Sequence, residues 1–250
     1  MSSRCRLLLV LAVAVGRCAA AGAQAPDVGP PSEPGTVFVV GGIGGWDPLG
    51  KSAMLVCPVA GVPHRVVDFF WSHGVGRSFS DLMDTPHLAR KAEELAALIL
   101  QTKQAGPERP IYLVAKSGGA GLALLATERL PPNTLERVIL VSAAVRPDYD
   151  LRPALRATRR EVVSFYSRHD RLILGWGTRT FGTVDRIHCA SAGKVGFQLP
   201  EDFDAEDRAL YQRVVQVPWR PSMLLLGYAG GHHCNSWPLF MMVELAPWLR

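Results

Sequence analysis

A serine at position 117 stands where a side chain could be made to do chemistry. It follows the apolar run Ile111-Tyr112-Leu113-Val114-Ala115-Lys116 and precedes Gly118-Gly119-Ala120-Gly121 and the Leu/Ala-rich run Leu122 to Leu130. The first run reads as a buried parallel strand, the second as a helix. Strand, sharp turn carrying a serine, then helix is the layout of a nucleophile elbow, which lifts the hydroxyl clear of the sheet edge. Strand and helix pass close at such a turn, so the residues two before and two after the serine must be small; here they are Ala115 and Gly119. The competing reading is a Gly/Ser-rich strand–helix turn of some other doubly wound protein. Further along, Asp170 lies just past an apolar run at 162–166, and His232 and His233 stand side by side after Gly230-Gly231.

These residues need elements to position them. Apolar, β-branched runs predict strands at 37–40, 66–71, 111–115, 138–142, 162–166 and 214–217. Between them a helix is expected from Thr85 as N-cap with Pro86 in its first turn, its apolar face running Leu88, Ala92, Leu95, Ala96, Ile99. A helix over 151–160 and a C-terminal amphipathic helix from Trp237 to Trp248 complete the pattern. Strands alternating with helices argue an α/β class with a mostly parallel, doubly wound sheet flanked by helices. In such sheets a site lies outside the carboxyl ends of the strands, where Ser117 and Asp170 both fall.

The elbow, Ala115-Lys116-Ser117-Gly118-Gly119, resembles that of the α/β-hydrolase family, with Ala in place of the more common first Gly. The resemblance covers most of the chain from Thr36 onward and is weakest over 175–207. It implies the α/β-hydrolase fold, Ser117 as nucleophile, Asp170 as triad acid and His232, in its Gly-Gly-His loop, as general base. The chain order Ser, Asp, His is the family's order. His233 is the fallback base, Asp148 with Asp150 the alternative acids, and Asp185 a more distant one. The resemblance also makes Gly41 to Gly45 the oxyanion loop, with the N–H groups of Ile43 and Gly118 as donors, since glycines let backbone approach substrate closely. A dinucleotide fingerprint competes for Gly42 and Gly44 but lacks its third glycine. The implied activity is a serine hydrolase cleaving a carboxylic ester, thioester or amide through an acyl-enzyme. It would need no cofactor and no metal, and would act on a small-molecule or lipid-like acyl substrate. An acyltransferase on the same scaffold and a non-catalytic binding protein are the alternatives.

Composition bounds the rest. The 250 residues, 48% hydrophobic and 20% charged, suffice for one sizeable core. The net charge of +5 is spread over scattered arginines, which argues against a nucleic-acid partner, and Arg152 to Arg160 read as a solvated helix face. Lys116 is expected to point to solvent, His73 to act as a hydrogen-bonding spacer and His188 to be structural. Arg4 and Arg6, the apolar run Leu7 to Val15 and small residues through Ala23 read as a signal peptide over 1–23, hence a secreted or periplasmic protein. Contact with a membrane would come only through that segment left uncleaved. Residues 24–35 read as a linker, 36–250 as one domain, 175–207 as a lid or surface excursion, and 201–207 as solvated acid. Cleavage would leave Cys57, Cys189 and Cys234, which cannot all pair within one chain. Cys234 beside the two histidines raises a metal or thiol-nucleophile reading, although no zinc spacing accompanies it.

Overall fold

The structure, a computed structural model, describes residues 34–199 and 204–250. The signal-peptide reading and nearly all of the linker lie outside the described residues, as do 200–203.

Among the described residues six strands form one sheet: β1 (Thr36–Val40), β2 (Arg65–Asp68), β3 (Ile111–Lys116), β4 (Arg137–Val141), β5 (Val162–Tyr166) and β6 (Val214–Pro218). Their order is β2-β1-β3-β4-β5-β6, and every pairing is parallel. The helices are α1 (Leu49–Val59), α2 (Ser78–Met83), α3 (Thr85–Ala105), α4 (Gly118–Thr127), α5 (Arg152–Ala157) and α6 (Ala205–Tyr211), with shorter helical turns between them. Successive side chains of a strand face opposite ways. Along β3, Ile111, Leu113 and Ala115 therefore pack with α3, α4 and α5. Tyr112 and Val114 pack on the other face with α1 and the C-terminal segment around Phe240 and Trp248. Burial on both faces explains why β3 and β4 read as unbroken apolar runs.

Several boundaries differ from the sequence expectation, each for a local reason. β2 stops at Asp68 rather than running to Trp71, because it is an edge strand whose register against β1 ends at Val39. Asp84, not Thr85, caps α3: its carboxylate accepts the His87 N–H at 2.9 Å, and Thr85 is already helical. α4 starts directly after Ser117, its small first residues letting it dock against β1. α1 has no counterpart among the helices expected from sequence, since Gly50 and Pro58 blur its period. The expected C-terminal helix is helical without a gap from Pro238 to Leu249, but its hydrogen-bond register changes along the way, from α (Pro238–Phe240) to π (Met241–Leu245) to 3-10 (Ala246–Leu249), where Pro247 has no N–H to donate. Asp207 is buried rather than solvated, held by Arg152 at 2.9 Å, which also takes Arg152 out of the purely solvated face expected for it.

Much of the excursion is tied to the sheet. Val184 N–H donates to Ala144, Ala192 N–H to Val145 and Gly193 N–H to Ala143, each through the carbonyl, at 2.8–2.9 Å. This fastens its inner segments to the chain leaving β4, beside the elbow. No helix among the described residues is long and apolar enough to cross a membrane.

Candidate active site

β3 delivers Ser117 to the carboxyl edge of the sheet, and the turn into α4 must be sharp. Ser117 takes φ 53° and ψ −123°, a region side-chain-bearing residues rarely enter. Such strain persists only where neighbours over-determine it. Here the Ser117 N–H donates to Val141 O at 3.0 Å, and the Ser117 carbonyl accepts the N–H groups of Ala120 and Ala144 at 3.1 Å. Gly119 is required by contact: a Cβ there would stand 2.2 Å from the Gly41 carbonyl oxygen.

β5 delivers Asp170, which is 2% exposed. Its Oδ1 accepts the Leu174 N–H at 3.1 Å, leaving Oδ2 to meet His232 Nδ1 at 2.6 Å. The other ring nitrogen, Nε2, lies 2.8 Å from Ser117 Oγ. With the Nδ1 proton donated to Asp170, Nε2 is the acceptor for the serine hydroxyl. Gly230 makes this possible at φ 82°, where a side chain would press on Ser167 and His169. The structure thus brings Ser117, Asp170 and His232 into one hydrogen-bonded line.

The remaining candidates fall elsewhere. The His233 ring lies edge-on to His232 at 5.5 Å and against Trp46 at 5.0 Å. Burial, then the neighbouring His232 and Lys116, lower the pKa of His233. Asp148 faces Arg146, Asp150 pairs with Arg152, and Asp185 also engages Arg146. His73 bonds Asp81 at 2.8 Å and Asp84 at 3.3 Å, and His188 meets the Arg179 carbonyl. Among the described residues no cluster of His, Cys, Asp and Glu could hold a metal ion, and Cys57, Cys189 and Cys234 are free thiols. Burial pushes the Cys57 thiol up to about 11.

The loop after β1 lies against the elbow, and the Ile43 methyl reaches the space beside Gly118. In this loop the Gly42 N–H is held by Asp47 at 3.3 Å and the Gly44 N–H by Asp81 at 2.7 Å. The Ile43 N–H between them has no partner among the described residues. Gly118, first residue of α4, has no acceptor within its own helix, and the helix N-terminus adds partial positive charge. Both N–H groups are therefore available for an anionic oxygen.

Lys116 is a correction to the sequence reading. It does not point to solvent but is 1% exposed. Its Nζ lies 3.0 Å from Asp47 Oδ2 and donates to Ser236 Oγ at 2.6 Å. Burial pulls the Lys116 pKa down, and Asp47 pulls it back up without fully compensating. Burial pushes Asp47 up, but Lys116, with the Leu49 N–H and the Ser236 hydroxyl, together hold it below its ordinary range, so the carboxylate stays ionised. Asp47 and Ser236 were not among the candidates. The available signal was a lysine ending an otherwise apolar buried strand, which demands a carboxylate partner.

Two cavities meet at Ser117. One, of about 390 Å³, is walled by Leu82, Ala144, Leu174, Trp176, Phe181 and Val184. The other, of about 280 Å³, carries His232, His233, Trp46, Asp47 and Ser78. Ile43 and Ile173 stand at the junction of both.

A six-stranded all-parallel sheet with helices on both faces and a strand–serine–helix elbow is the architecture of the α/β-hydrolase fold. Residues 69–176 match the family model described as Serine aminopeptidase, S33. Among solved structures, the chain is similar to a protein from Thermus thermophilus at 14% identity and a TM-score of 0.49, covering 88% of this chain and 92% of that one. It is similar to an α/β serine hydrolase without lid from Xanthomonas campestris at 15% identity and 0.48, over 88% and 82% of the two chains. A cutinase-like protein from Cryptococcus sp. gives 14% and 0.45, over 88% and 95%. No curated protein matches the chain.

Proposed function

We propose that the chain is an exported carboxylic-ester hydrolase acting through Ser117, His232 and Asp170. The observation that carries this reading is the line Ser117 Oγ, His232 Nε2 and Nδ1, Asp170 Oδ2, with steps of 2.8 and 2.6 Å, at the junction of two cavities. His232 takes the Ser117 proton as the hydroxyl oxygen attacks the ester carbonyl. The oxyanion forms against the N–H groups of Ile43 and Gly118, each worth roughly 3–4 kcal/mol in comparable sites. His232 then gives its proton to the leaving alcohol oxygen as the C–O bond breaks, and water repeats the sequence on the acyl-enzyme.

The same proton transfer orients the substrate. A leaving oxygen must reach His232 Nε2, so the alcohol lies in the cavity that His232 lines. The acyl group then extends into the apolar cavity, which favours a hydrocarbon acyl chain. The aminopeptidase description of the matching family would need a carboxylate free to hold a substrate ammonium. Among the described residues, the carboxylates at Ser117 are Asp47 and Asp170, engaged by Lys116 and His232, which favours an ester.

The test is labelling with a fluorophosphonate and turnover of p-nitrophenyl esters. The adduct is expected on Ser117, and Ser117→Ala should lower kcat by roughly 10⁴-fold or more with an unchanged circular dichroism spectrum. Turnover retained in that variant overturns the assignment. Ester transfer to an added alcohol in preference to water would make the protein an acyltransferase, and a folded but unlabelled protein would make it a binder.

A further inference from the structure

Three chain segments must keep register for the proposed reaction: the elbow, the oxyanion loop and the histidine loop. One ammonium group touches all three. Lys116 immediately precedes the nucleophile. Its Nζ bonds Asp47 Oδ2 at 3.0 Å and Ser236 Oγ at 2.6 Å, and Ser236 in turn donates to Asp47 Oδ1 at 3.0 Å. Asp47 carries the hold into the oxyanion loop, its two oxygens accepting the N–H groups of Gly42 and Leu49. Gly42 runs so close to the elbow that a Cβ on it would lie 3.3 Å from Ser117 Cβ. Ser236 carries the hold into the histidine loop, four positions after His232.

A lysine bonded to a serine also suggests a second nucleophile, but burial rules it out. Ser236 is fully buried, Lys116 almost so, and neither lines a cavity at Ser117. Stability alone is a poor reason for this arrangement, because a buried ion pair is often no better than well-packed apolar side chains. Its distinctive property is directional: each bond fixes one loop against β3. We propose that Lys116 is a positioning residue which, through Asp47 and Ser236, sets the oxyanion loop and the histidine loop against Ser117.

The proposal rests on the esterase reading for its kinetic consequence but not for its structural one, and the experiment has an arm for each. Lys116→Met keeps the stem and removes the charge. Amide hydrogen exchange should quicken in peptides over both 41–49 and 230–237, while β3 stays protected. With a short-chain ester, kcat should fall roughly 100-fold, as for a displacement of about 1 Å, with KM within about threefold. Pairing Lys116→Met with Asp47→Leu removes the unpaired charge, so the thermal midpoint should recover while kcat stays low. This double variant also decides the matter if the single one does not fold. Recovery of kcat together with the midpoint would reduce the pair to packing and overturn the proposal. So would unchanged exchange in either loop. Absence of wild-type labelling at Ser117 would count against the esterase reading alone, and the exchange arm would still decide the positioning role.

Discussion

The imidazole of His233 stands edge-on to that of His232, 5.5 Å between ring centres, yet His232 carries the bonds to Ser117 and Asp170 while His233 leans on Trp46. Adjacent histidines are thus given opposite environments, one aimed inward at a carboxylate and one outward over the cavity rim. On the proposed reading, His232→Ala lowers the rate of fluorophosphonate labelling by roughly 10⁴-fold, whereas His233→Ala changes it less than about tenfold. Equal losses in the two variants would remove the distinction on which the assignment of the base depends.

The apolar cavity predicts a chain-length preference that one substitution should reset. Ala144 lines its wall, and its N–H is pinned to the Ser117 carbonyl, so a larger side chain there fills the cavity without an easy backbone retreat. Ala144→Phe is expected to lower kcat/KM for long-chain p-nitrophenyl esters by roughly 10–100-fold relative to the acetate ester. A parallel loss on both esters would mean the acyl group lies elsewhere.

Asp81 sets a limit on acid stability. It is 2% exposed, and burial pushes its carboxyl up, but bonds from the Ser72 hydroxyl, the Gly44 N–H and His73 outweigh that and hold it below its ordinary range. The unfolded chain therefore takes up this proton first as pH falls. Its contribution is complete above the ordinary aspartate value of about 3.9 and is lost as pH drops through the lower folded-state value. Asp81→Asn should lower stability at neutral pH by about 1–3 kcal/mol and lose less than the wild type on further acidification, followed by thermal unfolding at stepped pH. Parallel acid profiles for the two proteins would show that other carboxylates govern the transition.

The parallel sheet and its elbow were legible because their signals are local. Ile111 to Ala115 are apolar without interruption, and the small residues around Ser117 leave few other ways to join a strand to a helix. Asp170 and His232 were legible only through the family's pattern, since 62 positions separate them and nothing local brings them together. Lys116 is illegible for the same reason in reverse: its partner, Asp47, follows a different strand, so taken alone it reads as a surface lysine. The cap of α3 turned on competition between near-equivalent neighbours, Asp84 against Thr85. α1 carries only a weak helical signature, because Gly50 and Pro58 interrupt it while Leu49, Ala53, Val56 and Cys57 still pack on the sheet.

The meeting of the two cavities at Ile43, Ser117 and Ile173 has a stereochemical consequence. A carbonyl whose acyl and alcohol arms are committed to different cavities can offer only one of its two faces to the serine. A stereocentre beside that carbonyl would then direct its smaller or its larger substituent at the isoleucine side chains, depending on its hand. On the proposed reading, racemic esters branched next to the carbonyl are consumed one enantiomer ahead of the other.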